Sequence, residues 1–161
     1  MAEHARHQCD VASEGQDRNT DHGGRITVSV IPRLQHVRDL RHLGRAFVNV
    51  HAPDTDAADT VELLISEIVT NAVRHTDSHS ITLSMSYADD VICLSVSDGT
   101  AGRPHKRNPG PDDESGRGLL IVNALAKEWG ISRNGSRVWC TVQCTDSLGA
   151  QDDADARTAP E

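Results

Sequence analysis

Two polar clusters in this chain have the residue types and spacing that phosphate chemistry requires. Glu67 and Asn71 lie four residues apart in the run from Val61 to His75, so on a helix they stand one turn apart on the same side. A carboxylate there can take the proton of an attacking hydroxyl or water beside a terminal phosphate. An amide oxygen next to it is the hard donor that a divalent cation prefers. Further along, Ser115-Gly116-Arg117-Gly118-Leu119 opens a second helical pattern. Its glycines allow close backbone approach, and the amides at a helix start attract phosphate. Between the clusters, Val96-Ser97-Asp98-Gly99-Thr100 closes an apolar strand. Asp98 can accept from the N6 amino group of adenine, where guanine offers a carbonyl instead, and Gly99 lets the chain turn away without filling the base pocket. Base, cation ligand, adenine acceptor and phosphate cradle together make an ATP site.

The elements that must position these residues are legible from periodicity. Ile26 to Val30 alternates and is β-branched, a strand that Pro32 ends. Val37, Leu40, Phe47 and Val48 fit one face of a helix over about 33–50. Val61, Leu64, Ile65, Ile68, Val69 and Ala72 mark the clearest helix. Asp59 and Glu62 have the form of a capping box at its start, with an earlier start near Asp54 as the alternative. Residues 80–87 alternate, Ala88-Asp89-Asp90 is a turn, and 91–97 return as a hairpin. Gly102, Pro104, Pro109, Gly110 and Pro111 interrupt a lid-like stretch without periodicity. A helix over about 116–128 follows, then strands 129–133 and 137–144 joined at Asn134-Gly135. This order predicts an α+β fold, a two-layer α/β sandwich. Its sheet is mixed, mainly antiparallel, and covered by helices on one face.

Composition sets further bounds. The chain's 161 residues suffice for one domain with a proper core. Residues 1–24 and 146–161 lack an apolar pattern and read as disordered tails, leaving 25–145 as the folded domain. A net charge of -8, and no basic run interleaved with aromatics, argue against nucleic-acid binding. Arg103, His105, Lys106 and Arg107 form the dense basic cluster; it suits either phosphate or partner contact, or a solvated loop. Arg74 and His75 follow Asn71 and could reach toward phosphate, although His75 equally suits a helix C-terminus. Trp139, on the last strand, suits core or sheet surface better than ligand contact. Cys9, Cys93, Cys140 and Cys144 form no CxxC and no paired framework. Free thiols of this kind suit a reducing cytosol, and with no signal peptide or apolar span the expected location is cytoplasmic.

These motifs carry a family likeness. Glu67-x-x-x-Asn71 resembles the N box of the GHKL ATPases with the Bergerat fold, Val96-Ser97-Asp98-Gly99 their G1 box, and Gly116-Arg117-Gly118-Leu119 their G2 box. The resemblance spans about 25–145 in motif order and element order. With no histidine-bearing helix pair upstream and no transducer or middle domain downstream, the chain is similar to the stand-alone anti-sigma-factor serine/threonine kinases. The resemblance implies ATP and Mg²⁺ as ligands, with Asn71 as the protein's direct metal ligand. It also implies Glu67 as base toward a serine or threonine hydroxyl on an antagonist protein. A sigma factor or its antagonist would be the partner, and a homodimer is a common state. A nucleotide-gated binding module without kinase activity, a solitary ATPase and a detached histidine-kinase catalytic domain would carry the same boxes.

Overall fold

The structure, a computed structural model, describes residues 23–99 and 115–145. The expectations for residues 1–22, 100–114 and 146–161, including the basic lid cluster and both tails, lie outside the described residues. In chain order the elements are β1 (Arg25–Val30), α1 (Gln35–His51), α2 (Thr55–His75), β2 (Ile81–Ala88), β3 (Val91–Ser97), α3 (Ser115–Leu125), β4 (Glu128–Ile131) and β5 (Arg137–Gln143). Each sits where the periodicity places it. The largest shift is the end of α3 at Leu125 rather than about 128. There Lys127 already donates its backbone N–H to the Thr141 carbonyl at 2.8 Å, so the chain joins the sheet ladder before another helical turn can form.

The five strands form one sheet in the order β1-β2-β3-β5-β4, and all four described pairings are antiparallel, where the expectation allowed a mixed sheet. Helices cover one face, which is the expected two-layer α+β sandwich. The register aligns Val28, Leu83, Val96 and Val138 in one row and Ile26, Met85, Leu94, Cys140 and Trp129 in the next. Leu40, Phe47 and Val48 of α1 and Leu64, Ile65, Ile68 and Val69 of α2 are buried in the same core. Gly44 lets the two helices meet, for a Cβ there would sit 2.2 Å from Ile65 Cδ1.

The start of α2 settles between the two readings of its cap. Asp54 has extended backbone, and its Oδ1 accepts from the N–H groups of Asp56 and Ala57, so Asp54 is the N-cap. Asp59 and Glu62 do not form a capping box; both carboxylates accept from Arg45 Nη1 at 2.6 Å, clamping α2 to α1. The β2–β3 turn consists of Asp89 and Asp90, both at positive φ (51° and 58°), the geometry of a type I′ hairpin. Tyr87 Oη donates to Asp90 Oδ1 across it at 2.9 Å.

Cys140 and Cys144 are free and buried. Burial pushes their thiols up to about 12 and about 11 respectively. Cys93 corrects the expectation of unpaired cysteines: it is disulfide-bonded. It lies on the second face of the sheet with Trp139.

Candidate functional site

Glu67 and Asn71 fall in the last three turns of α2, on the side that meets α3. Asp98 follows directly on β3, and its backbone N–H donates to the Ser136 carbonyl at 3.0 Å. That bond exists because β5 pairs with β3, with Ser97 opposite Arg137, so the Asn134-Gly135 turn is carried to the end of β3. Asn134 Oδ1 holds the turn by accepting from Ser132 Oγ, Ser136 Oγ and Ser136 N–H, and Gly135 takes the positive φ of 71° it requires.

These pieces line one open cleft. Glu67, Asn71, Asp98, Gly118 and Leu119 all line it, so five of the eight residues singled out by sequence share one wall-to-wall site. Its apolar walls are Ile68 and Ala72 from α2, Val96 and Val138 from the sheet and Val122 from α3. An apolar slot with a few placed polar groups is the usual form of a small-molecule site. Asp98 is 8% exposed, so a donor reaching it would bond a carboxylate largely withdrawn from water.

The two glycine clusters behave differently. Gly118 sits in the first turn of α3, where a Cβ would lie 3.0 Å from Glu67 Oε2; the missing side chain makes room for the carboxylate. Gly116 and Arg117 lie in the same turn, and the Arg117 side chain is outside the described residues. Gly99 does not line the cleft. Its φ of +68° demands glycine, but a Cβ would face Ser78 and Ser80 and not a base pocket. Arg74 and His75 close α2 without lining the cleft.

The sequence reading missed Gly135, Ser136 and Val138. Asn134-Gly135 signals a hairpin, but only the non-consecutive pairing of β3 with β5 brings that hairpin to Asp98. Among the described residues no group of three or more His, Cys, Asp or Glu side chains could hold a metal. A cation in the cleft would therefore rest on Asn71, water and the oxygens of a bound phosphate, which fits the way Mg²⁺ shares ligands with its substrate. Asp98 among apolar walls also fits an amino-bearing base. The donor set thus suits a magnesium nucleotide.

The histidine kinase-like ATPase domain family matches residues 30–142. The chain belongs to that family. A domain of this family implies a nucleotide ligand, and the matched span contains the cleft and every residue described as lining it. Among solved structures, the chain is similar to that of the RsbU and RsbW domains of Rv1364c from Mycobacterium tuberculosis, with a TM-score of 0.55 and 21% identity. The match covers 75% of this chain and 31% of that chain. At this identity it speaks for the fold, the α+β sandwich already described. No helix among the described residues is long and apolar enough to cross a membrane.

Proposed function

We propose that this ATPase domain binds ATP with Mg²⁺ and transfers the γ-phosphate to a serine or threonine of a protein antagonist, as an anti-sigma-factor kinase. The observation that carries the reading is the convergence of Glu67, Asn71, Asp98 and Gly118 on one cleft from α2, α3 and the end of β3. Asp98 selects adenine through its amino group. Asn71 offers an oxygen to the cation, and bound Mg²⁺ would supply charge neutralisation for the phosphates. The first turn of α3 offers backbone amides to the phosphate chain.

Glu67 is the base. It accepts the hydroxyl proton as that oxygen bonds the γ-phosphorus and the bond to the β–γ bridging oxygen breaks, leaving ADP and a phosphorylated side chain. The partners on this reading are a sigma factor and its antagonist, the location is the cytoplasm, and the protein works as a homodimer.

The test is product analysis with γ-labelled ATP, Mg²⁺ and candidate antagonists. Label in protein phosphoserine or phosphothreonine is expected, with Glu67→Ala keeping nucleotide binding and losing transfer by about 10² or more, the scale of a positioned general base. Label in phosphohistidine, or free phosphate alone, would place the domain with the histidine kinases or the solitary ATPases. ATP-dependent partner binding with no transfer would make it a nucleotide-gated module.

A further inference from the structure

Helix α1 and its entry are basic in an acidic chain. Residues 33–51 hold four arginines and one aspartate, a net +3 within a chain of net -8, which leaves -11 on the rest. Arg45 is answered inside the fold, by Asp59 and Glu62 at 2.6 Å. Arg33, Arg38 and Arg41 are exposed, and none of them meets an acid among the described residues. Asp39, the one acid of the helix, faces His36 at 3.5 Å. Three guanidinium groups are thus left to solvent in a chain with 24 acidic residues.

The arginines have apolar company. Leu34, Arg38 and Arg41 are spaced four and three apart, so they form one exposed stripe, which Arg45 continues toward α2. Leu34 holds the N-cap position of α1 and makes no side-chain bond to the helix start, where Ser, Asp or Asn would stabilise. It is 57% exposed, as is Ile31 just before it. Neither capping nor the core accounts for a leucine there. Protein interfaces are enriched in arginine and depleted in lysine, and residues 33–51 contain no lysine.

We propose that this stripe is the docking surface for a short acidic segment of another protein. Its carboxylates would take Arg33, Arg38 and Arg41 in forked pairs, and an apolar side chain would cover Leu34 and Ile31. The rest of the molecule selects a protein over a longer polyanion. A nucleic-acid backbone offers Leu34 and Ile31 nothing apolar. Both it and an anionic membrane reach past one helix to the -11 carried elsewhere, which repels them. A short segment confines its charge to the stripe.

None of these residues lines the nucleotide cleft. Arg45 clamps α1 to α2, so whatever binds the stripe sits on the helix pair that carries Glu67 and Asn71. The surface gives the protein partner of the proposed function a place to dock, but it rests on charge and exposure and not on phosphate transfer.

The test begins with selection of a displayed library of random short peptides on the immobilised full chain. The recovered peptides are then labelled and titrated by fluorescence anisotropy. Peptides rich in Asp and Glu around an apolar residue are expected, with affinity that falls as salt is raised. Affinity should fall at least about tenfold in the Arg38→Glu/Arg41→Glu variant, where like charges meet, and Leu34→Ser should weaken binding without changing the salt dependence. The same peptides with lysine in place of their acids should regain binding to the double variant. Recovery of neutral or basic peptides alone, or acidic peptides that bind the double variant as tightly, would overturn the proposal. So would a labelled DNA duplex or phosphatidylserine vesicles that bind more tightly than the peptides and are lost in the same variant. Thermal unfolding and ATP titration should be unchanged in the double variant, since both arginines are exposed and off the cleft. A wild type that binds no ATP would count against the nucleotide reading alone.

Discussion

Asp54→Ala should destabilise the fold by about 3 kcal/mol while leaving the cleft intact. Asp54 is 7% exposed, and each of its carboxylate oxygens is used twice. Oδ1 accepts from Asp56 N–H at 3.0 Å and Ala57 N–H at 3.1 Å; loss of such an N-cap costs about 1 kcal/mol. Oδ2 accepts from Thr145 N–H at 2.8 Å and Thr145 Oγ1 at 2.9 Å, tying the end of the last strand to the start of α2. Hydrogen bonds to a charged acceptor contribute about 1.5–3 kcal/mol, and the lower end applies twice at most because exposed Thr145 can turn to water. Asp54→Asn separates the two functions. Its oxygen can keep the cap, but its NH₂ would meet the Thr145 donors, so about half the loss should remain.

The pH dependence has a definite sign. The Thr145 amide, then the Ala57 amide, hold the Asp54 carboxyl below its ordinary value against the opposing effect of burial. A depressed folded pKa means the stabilisation is complete above about pH 4, the ordinary aspartate value, and is lost as pH falls through the lower folded value. Urea unfolding followed by tryptophan fluorescence, at neutral pH and stepwise down to about pH 3, reads both effects. A loss below 1 kcal/mol in Asp54→Ala, or an Asp54→Asn variant that retains the wild-type acid sensitivity in full, would refute the account.

Four further outcomes follow from the same structure. Gly44→Ala should destabilise by about 1–3 kcal/mol despite the usual gain of alanine in a helix, because the new methyl meets fully buried Ile65 at 2.2 Å; thermal unfolding checks it. Gly118→Ala should leave the unfolding midpoint nearly unchanged but displace the flexible end of Glu67, lowering phosphotransfer about tenfold in a kinase assay. Asp98→Asn should weaken ATP binding by about 10–100-fold and erode the preference over GTP, as read by calorimetric titration. Asn71→Ala should abolish most of the Mg²⁺ dependence of nucleotide affinity without altering the circular dichroism spectrum, and a wild type that binds ATP equally with and without Mg²⁺ would remove the metal role.

Sequence alone determined the local structure of this protein, because local structure follows short-range period and turn chemistry. The row Val61, Leu64, Ile65, Ile68 and Val69 can bury one stripe only as a helix, and that helix fixes Glu67 and Asn71 on one side. Alternation in β2 and β3, with two aspartates able to take positive φ between them, left little besides a hairpin. Tertiary structure decided which distant groups meet. Insertion of β5 between β3 and β4 brought Ser136 to Asp98, a neighbour that no periodicity encodes. The folded helix pair gave Asp59 and Glu62 to Arg45 and left Asp54 to cap α2, since a carboxylate takes whichever donors the chain holds nearest. The same long-range assembly set Gly118 against Glu67 and turned Gly99 toward Ser78 and Ser80. Residue type and spacing announced the chemistry; the strand order and helix packing chose the atoms that face it.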